Sequence, residues 1–294
     1  MAFVSFAGFA LERARCCWLG ARQSVAECTA CRSGRRQQRW LVASGFPGSR
    51  PPHAHEPVHH DGSHRPGERK GFVQEMRVVA MRLHTKDQAR EGKQEESALP
   101  ISEWRPTRAD FLQFLVDSKA VYDFLEGYVA SEGAKGNPLF KPFVNTGLER
   151  GQALANDIAW FRNTLGYSIP EPTDAARRYI DYLRELFERS PEAVLCHWYN
   201  FYFAHTAGGR MIGRNMENLL FGNGPDAKRF AFYEWDRDVK EILEEVRGRI
   251  DEVAKDWPRE VKDVCLNETG LAFAYSGTIL NNLAKRAEEP AAAS

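Results

Sequence analysis

From residue 72 onward the apolar positions recur with a period near 3.6, the spacing of amphipathic helices rather than of strands. Phe72, Met76, Val79, Ala80 and Leu83 share one face, and Phe111, Phe114, Leu115, Ser118, Tyr122 and Leu125 share a second. Leu148, Leu154, Ile158 and Phe161 outline a third helix that Gly166 closes, and Tyr179, Tyr182, Leu183 and Leu186 a fourth over 175–189. Ser190-Pro191-Glu192 reads as the start of a fifth: a capping hydroxyl, a proline in the first turn, and an acid at the positive end of the helix dipole. Val239, Ile242, Leu243, Val246, Ile250 and Val253 give a sixth helix, and 264–283 a seventh. Turn sequences separate them, among them Gly136-Asn137-Pro138, Ile169-Pro170-Glu171-Pro172 and Gly222-Asn223-Gly224-Pro225. No run alternates as a strand would, and no internal repeat occurs. The expected fold is all-α, a single domain ordered over 72–285.

The fifth helix breaks a rule that the others keep. It is expected to run to Phe221, yet Gly208-Gly209 interrupts it, and each interior glycine costs about 1 kcal/mol relative to alanine. A plain kink is one account of the pair. The other starts from Ala204, Ala207 and Gly208, which fall at i, i+3 and i+4 with Gly209 beside them. They make a low strip that a second helix or a planar cofactor could approach closely. His205 stands at the edge of that strip, aimed at whatever lies over it. His84 ends the first helix, one turn after Ala80, where a lone histidine is more often a core or capping residue than a ligand. An imidazole on one side and a glycine-softened helix on the other would sandwich a haem, with the face opposite the imidazole open to oxygen.

Composition narrows the class. The chain is 43% hydrophobic and 12% aromatic, which excludes a disordered protein. No apolar run approaches the roughly 18 residues of a membrane span. The formal net charge of zero is a cancellation: residues 1–69 hold ten Arg, no Lys and five acids, leaving 30 basic against 35 acidic groups from Lys70 onward. An Arg-rich, acid-poor segment without helical periodicity is the profile of an organelle transit peptide. Its apolar start precedes Arg13, which suits a plastid address better than a secretory one, with a mitochondrial address second. Residues 1–69 are therefore expected to be transit peptide and flexible linker, and 70–294 the enzyme. Cys28-Thr-Ala-Cys31, with Cys16 and Cys17, has zinc or redox spacing but no folded frame to hold a tetrahedron, and it reads as part of the discarded leader. His53, His55, His59, His60 and His64 lie in a Pro-rich linker. Only Cys196 and Cys265 remain beyond it, too few for a disulfide framework and in keeping with a reducing compartment.

Three separated segments carry a family resemblance. Residues 71–92 (GFVQEMRVVAMRLHTKDQAREG), 114–122 (FLVDSKAVY) and 196–214 (CHWYNFYFAHTAGGRMIGR), in this order, resemble the plastid haem oxygenases of plants and algae. The likeness spans about 70–285 and implies a helical fold with haem held between a proximal and a distal helix. It implies that His84 is the proximal ligand to the iron and that Gly208 and Gly209 are the flexible glycines of the distal helix. Arg247 and Arg77 fall where the family places basic groups near the haem propionates, and Tyr199 where a phenol can reach one. Lys240, seven residues before Arg247, is a weaker candidate for the same task. Cations suit carboxylates partly withdrawn from water. Animal and many bacterial relatives carry Asp where this chain has His205; plant-type members resemble this chain. Whether His205 organises the proton-donating water itself stays open at this point. A plant subclass without the proximal His resembles non-enzymatic tetrapyrrole binders, and His84 sets this chain apart from it.

The resemblance implies cleavage of haem b, which is both substrate and cofactor, with O2 and electrons from reduced ferredoxin. The products would be biliverdin IXα, CO and ferrous iron in the plastid stroma, supplying bilin chromophore synthesis. Ferredoxins are acidic, so docking needs a local basic patch on the net-negative part of the chain from Lys70 onward, for which Lys86, Arg90, Arg210 and Arg214 are candidates. The expected protein is a monomer with no nucleic-acid partner and no membrane span. Three rivals are weaker. A non-catalytic tetrapyrrole binder or signalling protein of the same fold should lack His84. A thiaminase-like enzyme needs a nucleophilic Cys, and Cys196 has no evident base. A di-iron oxygenase needs paired Glu-x-x-His elements, which 70–294 lacks.

Overall fold

The computed structural model describes residues 67–89, 101–222 and 227–285, all within the unit Pro52–Ser294. The expected leader and linker therefore lie almost wholly outside the described residues, with their cysteines and histidines. Among the described residues the chain is helical, with no strand. The α-helices are α1 (Phe72–Ala89), α2 (Arg108–Ala134), α3 (Gly151–Leu165), α4 (Asp174–Arg189), α5 (Pro191–Ala204), α6 (Arg210–Phe221), α7 (Val239–Val253), α8 (Arg259–Asn267) and α9 (Thr269–Leu280). A π-helical turn, His205–Gly209, joins α5 to α6 without a break.

Helix α2 is the centre. Its start is fixed by a reciprocal capping box: Asp110 N–H donates to Thr107 Oγ1 at 3.2 Å, and Thr107 N–H donates to the Asp110 carboxylate at 2.8 Å. Phe111, Leu112, Phe114, Leu115, Val116, Val121, Tyr122, Leu125 and Val129 are all buried, so α2 is covered on more than the one face that the periodicity suggested. It packs against α3 and α4; α5 lies on α4, α8 and α9; α1 rests on α7, α8 and α9. Phe111 sits among the rings of Phe114, Phe161, Phe221 and Phe230, with centroids 5.0–6.3 Å away. The end of α3 comes where the sequence put it, since Gly166 takes φ 71°, a left-handed conformation that glycine adopts without penalty.

Two expectations need correction. Ser190 occupies the N-cap position of α5, but its side chain makes no capping bond, so Pro191 and Glu192 alone carry the start signal. The single helix expected over 264–283 is two, because the chain turns at Glu268. There the carboxylate, drawn into the core, accepts from Tyr182 Oη at 2.5 Å and lies 3.0 Å from His197 Nε2. A residue whose side chain is committed to α4 and α5 fixes a break that apolar spacing does not reveal.

The N-terminal end of α1 is fastened to α7: Val73 N–H donates to Asp251 at 2.9 Å. Arg259 adds ion pairs to Glu75 at 2.9 Å and Asp263 at 2.8 Å. These bonds set the course of the helix that carries position 84.

Candidate active site

The glycine pair lies in the π turn, and its two members serve different needs. Ala204, Ala207 and Gly208 are exposed while His205 and Thr206 are buried, so the small residues do present a low outer strip. A Cβ at Gly208 would meet nothing within 4 Å. At Gly209 a Cβ would stand 2.8 Å from His205 Nδ1. Gly208 leaves room outside the protein for something flat, whereas Gly209 makes room within it for an imidazole. π turns of this kind widen a helix locally and occur often at functional sites.

His205 is turned inward, not over the strip as the sequence suggested. Its Nε2 lies 2.8 Å from the Phe232 carbonyl oxygen. A carbonyl can only accept, so Nε2 carries the proton and Nδ1 is bare against Gly209. The ring stacks on Phe232 at 4.0 Å and 18°, with Tyr122, Tyr233 and Trp235 around it. Burial, with the charges of Arg150 and Arg210 against it, lowers its pKa to about 3 despite the bond to Phe232. The imidazole is neutral at physiological pH and its one proton is committed. One feature that the sequence did not signal supports this packing: a Cβ at Gly213, one turn into α6, would lie 2.6 Å from the Tyr233 ring.

Two turns back along α5, Tyr199 is buried and its ring lies 4.3 Å from that of Phe203. Burial raises the Tyr199 pKa, and the charges of Arg247 and Arg77 work against the rise. The Arg247 guanidinium sits 5.3 Å from the Phe203 ring centre and pairs with Glu244 at 3.0 Å. Tyr199 on α5 thus lies within reach of the charges of Arg247 on α7 and Arg77 on α1. Lys240, in the first turn of α7, goes elsewhere: it lines a cleft of about 490 Å³ with Arg210, Trp235 and Arg237. Arg210, Arg214 and Arg229 line a neighbouring cleft of about 470 Å³. His84 falls on α1 seven residues after Arg77, and its side chain, like that of Lys86 and the whole of Arg90, lies outside the described residues. Met211 on α6 and Met81 on α1 expose about half of their surface, which adds apolar area to both helices.

These residues suit a flat, largely apolar ligand with anionic groups at one edge. The strip at Gly208 admits a plane, Phe203 and the methionines offer apolar contact, and two guanidiniums with a phenol meet carboxylates. The glycine pair gives a direct check. Gly209→Ala is expected to cost about 1–3 kcal/mol of stability through overpacking against a ring that cannot retreat. Gly208→Ala should leave the fold as stable or about 1 kcal/mol more so, while weakening binding of the flat ligand. Thermal unfolding and ligand titration of both variants would show this inversion, and equal losses of stability would refute it.

A family model described as "Heme oxygenase" matches residues 78–282. The chain is 50% identical over 218 residues to "Heme oxygenase 1, chloroplastic" of Arabidopsis thaliana, covering 73% of this chain and 74% of that protein. It is 48% identical over 217 residues to "Heme oxygenase 1, chloroplastic" of Oryza sativa subsp. japonica, covering 74% and 72%. Its fold is similar to the crystal structure of heme oxygenase-2 from Synechocystis sp. PCC 6803 in complex with heme and NO. There the TM-score is 0.60 at 20% identity, over 72% of this chain and 85% of that one.

Proposed function

The chain belongs to the haem oxygenase family and is an enzyme of it, and on that premise we propose that it cleaves haem b to biliverdin IXα, CO and ferrous iron. We propose O2 as oxidant and reduced ferredoxin as electron donor, in the plastid stroma. Residues 1–69 would serve as leader and linker and 70–294 as a monomeric enzyme. The observation that carries this reading is the empty space over Gly208 on the π turn, with Tyr199, two turns away, within reach of the charges of Arg247 and Arg77.

Bound haem supplies the iron that activates oxygen and the carbon that is oxidised. The chain supplies ligation, orientation and exclusion of water. His84 on α1 would hold the iron through a neutral imidazole nitrogen. Arg247, Arg77 and Tyr199 would hold the propionates and so fix the orientation of the ring, while Lys240, in the cleft with Arg210, would stand apart from them. Gly208 lets the distal backbone come close on the oxygen side, where steric crowding selects the carbon attacked. His205 is best read as the residue that holds the distal turn rather than as a proton donor, since its proton is bonded to Phe232 and the ring stays neutral. Arg210 and Arg214, with Lys86 and Arg90, would meet an acidic donor, giving an association rate that falls with salt.

The test is an optical titration of the 70–294 fragment with hemin, then ferredoxin, its reductase, NADPH and air. A Soret band that decays into bilin absorption supports the reading; a stable Soret complex that never decays reduces it to haem binding. Arg247→Ala is expected to weaken hemin binding about tenfold, the loss of one charge-assisted bond. Unchanged affinity in that titration would remove Arg247 from the propionate site.

A further inference from the structure

The distal turn is tethered to a strap, residues 228–235 between α6 and α7, which is itself gripped from α3. Asp157, wholly buried on α3, accepts from Ala231 N–H at 3.0 Å and Phe232 N–H at 2.8 Å, one bond to each oxygen, with Lys228 Nζ at 3.4 Å. Arg150, at the N-cap of α3, donates to the carbonyls of Ala231 at 3.4 Å and of Glu234, and its guanidinium lies 4.6 Å from the Trp235 ring centre. Glu217 of α6 holds Phe230 N–H at 2.8 Å. The Phe232 carbonyl that receives the His205 proton therefore belongs to a peptide segment clamped on both sides.

We infer that Asp157 and Arg150 are positioning residues for the haem-cleavage reaction, setting through the strap and His205 how the Gly208 turn sits over its ligand. The inference rests on the function proposed above and deepens it. Two consecutive glycines at the end of a π turn leave that stretch of backbone poorly fixed by its own conformational preferences. Its placement must come from what it is tied to. Among the described residues, the tie from its side chains to another element is the bond from His205 to Phe232; Thr206 Oγ1 donates only to Phe203 within the same helix. Charge-assisted bonds to Asp157 hold that acceptor more firmly than neutral ones would. A shift of the strap therefore becomes a shift of the turn that crowds the oxygen side.

The test compares Asp157→Asn and Arg150→Met with Asp117→Asn. Asp117 is an equally buried carboxylate, but it serves Thr173 and Asn282 and does not touch the strap. In Asp157→Asn the new amide hydrogens face a backbone N–H and one bond must be lost; Arg150→Met keeps an apolar stem over Trp235 and removes the donors. In the haem-free protein, exchange of the His205 Nε2–H, followed by nitrogen NMR of the ring, should quicken about tenfold in the strap variants through local opening. In haem turnover the share of minor bilin isomers should rise about threefold in the same two variants, a misplacement effect. Asp117→Asn should change neither, even where its unfolding temperature falls. Wild-type exchange in the strap variants, or equal shifts in Asp117→Asn, would overturn the inference. If wild type itself forms no bilin, the proposed function fails, while the exchange measurement still decides whether the strap holds His205. Arg150→Met stands in should Asp157→Asn not fold.

Discussion

In His84→Ala, bilin formation is expected to fall by at least about a hundredfold, since loss of an outer-shell partner alone costs metal sites 10–100-fold. The expectation comes from the placement of α1. Val73 and Glu75 fasten the start of the helix to Asp251 and Arg259, so its course is set before the chain reaches position 84. Arg77 lies near enough to Tyr199 for its charge to act on the phenol, and position 84 follows it by two turns on the same side of the helix. Arg77, one of the propionate candidates, and position 84 thus share one face of α1. The variant should still take up hemin through Arg247, Tyr199 and apolar contact, with an altered Soret band, and added imidazole should restore part of the turnover. Imidazole rescue separates a missing ligand from a damaged fold. Wild-type turnover in His84→Ala would mean that the iron is held from elsewhere.

Acid should destabilise the protein well above the range in which carboxylates titrate. His205 has a pKa lowered to about 3 by burial, and burial also lowers His197, which bonds Tyr179 and Glu268 in the core. An unfolded histidine takes its proton near pH 6.5, while these two refuse it in the fold. Their stabilising contribution is therefore complete above about pH 6.5 and is lost as pH falls towards the folded pKa. For His205 the loss is about 1 kcal/mol by pH 5.5 and grows as the pH falls further. Burial raises Glu75, Glu126 and Asp157, which act in the opposite sense at lower pH. A comparison of two chains cancels them. In urea unfolding at pH 7.5 and 5.5, His205→Gln, whose amide can still donate to Phe232, should lose about 1 kcal/mol less than wild type between the two values. An identical loss in both would show that the imidazole is protonated in the folded state.

Much of this architecture is local and was legible. The glycine that ends α3 and the apolar spacing of α7 are written within a few residues of where they act. The glycine pair was visible as an anomaly, and its exposed strip follows from spacing. What escaped is long-range. Nothing near Arg150 or Asp157 announces that each will grip a segment some 75–84 residues later, because a buried charge satisfied by backbone groups has no complementary residue to find. The inward turn of His205 has the same origin, since a main-chain carbonyl, unlike a side chain, is the same at every position. The break at Glu268 had a local signal in Asn267, Thr269 and Gly270, all poor helix formers, which the apolar spacing on either side outweighed, and the bonds of Glu268 to His197 and Tyr182 are long-range.

The π turn also bears on how this helix tolerates changes in length. In an α-helix each residue turns the chain by about 100°, and a π turn absorbs one extra residue. Helices α5 and α6 therefore keep their facing although the turn holds one residue more than a continuous α-helical rod would need. Upstream, Cys196, Tyr199 and Tyr202 are buried in the core; downstream, Gly213, Met216 and Phe221 are. Removing one residue from 205–209 is expected to turn this stretch into ordinary α-helix while leaving the inner face of α6, and Phe221 in its aromatic cluster, where they are. Those five residues thus act as a buffer, in which the helix can lose one residue without turning its second half, and what such a loss would remove is the widened backbone that carries Gly208.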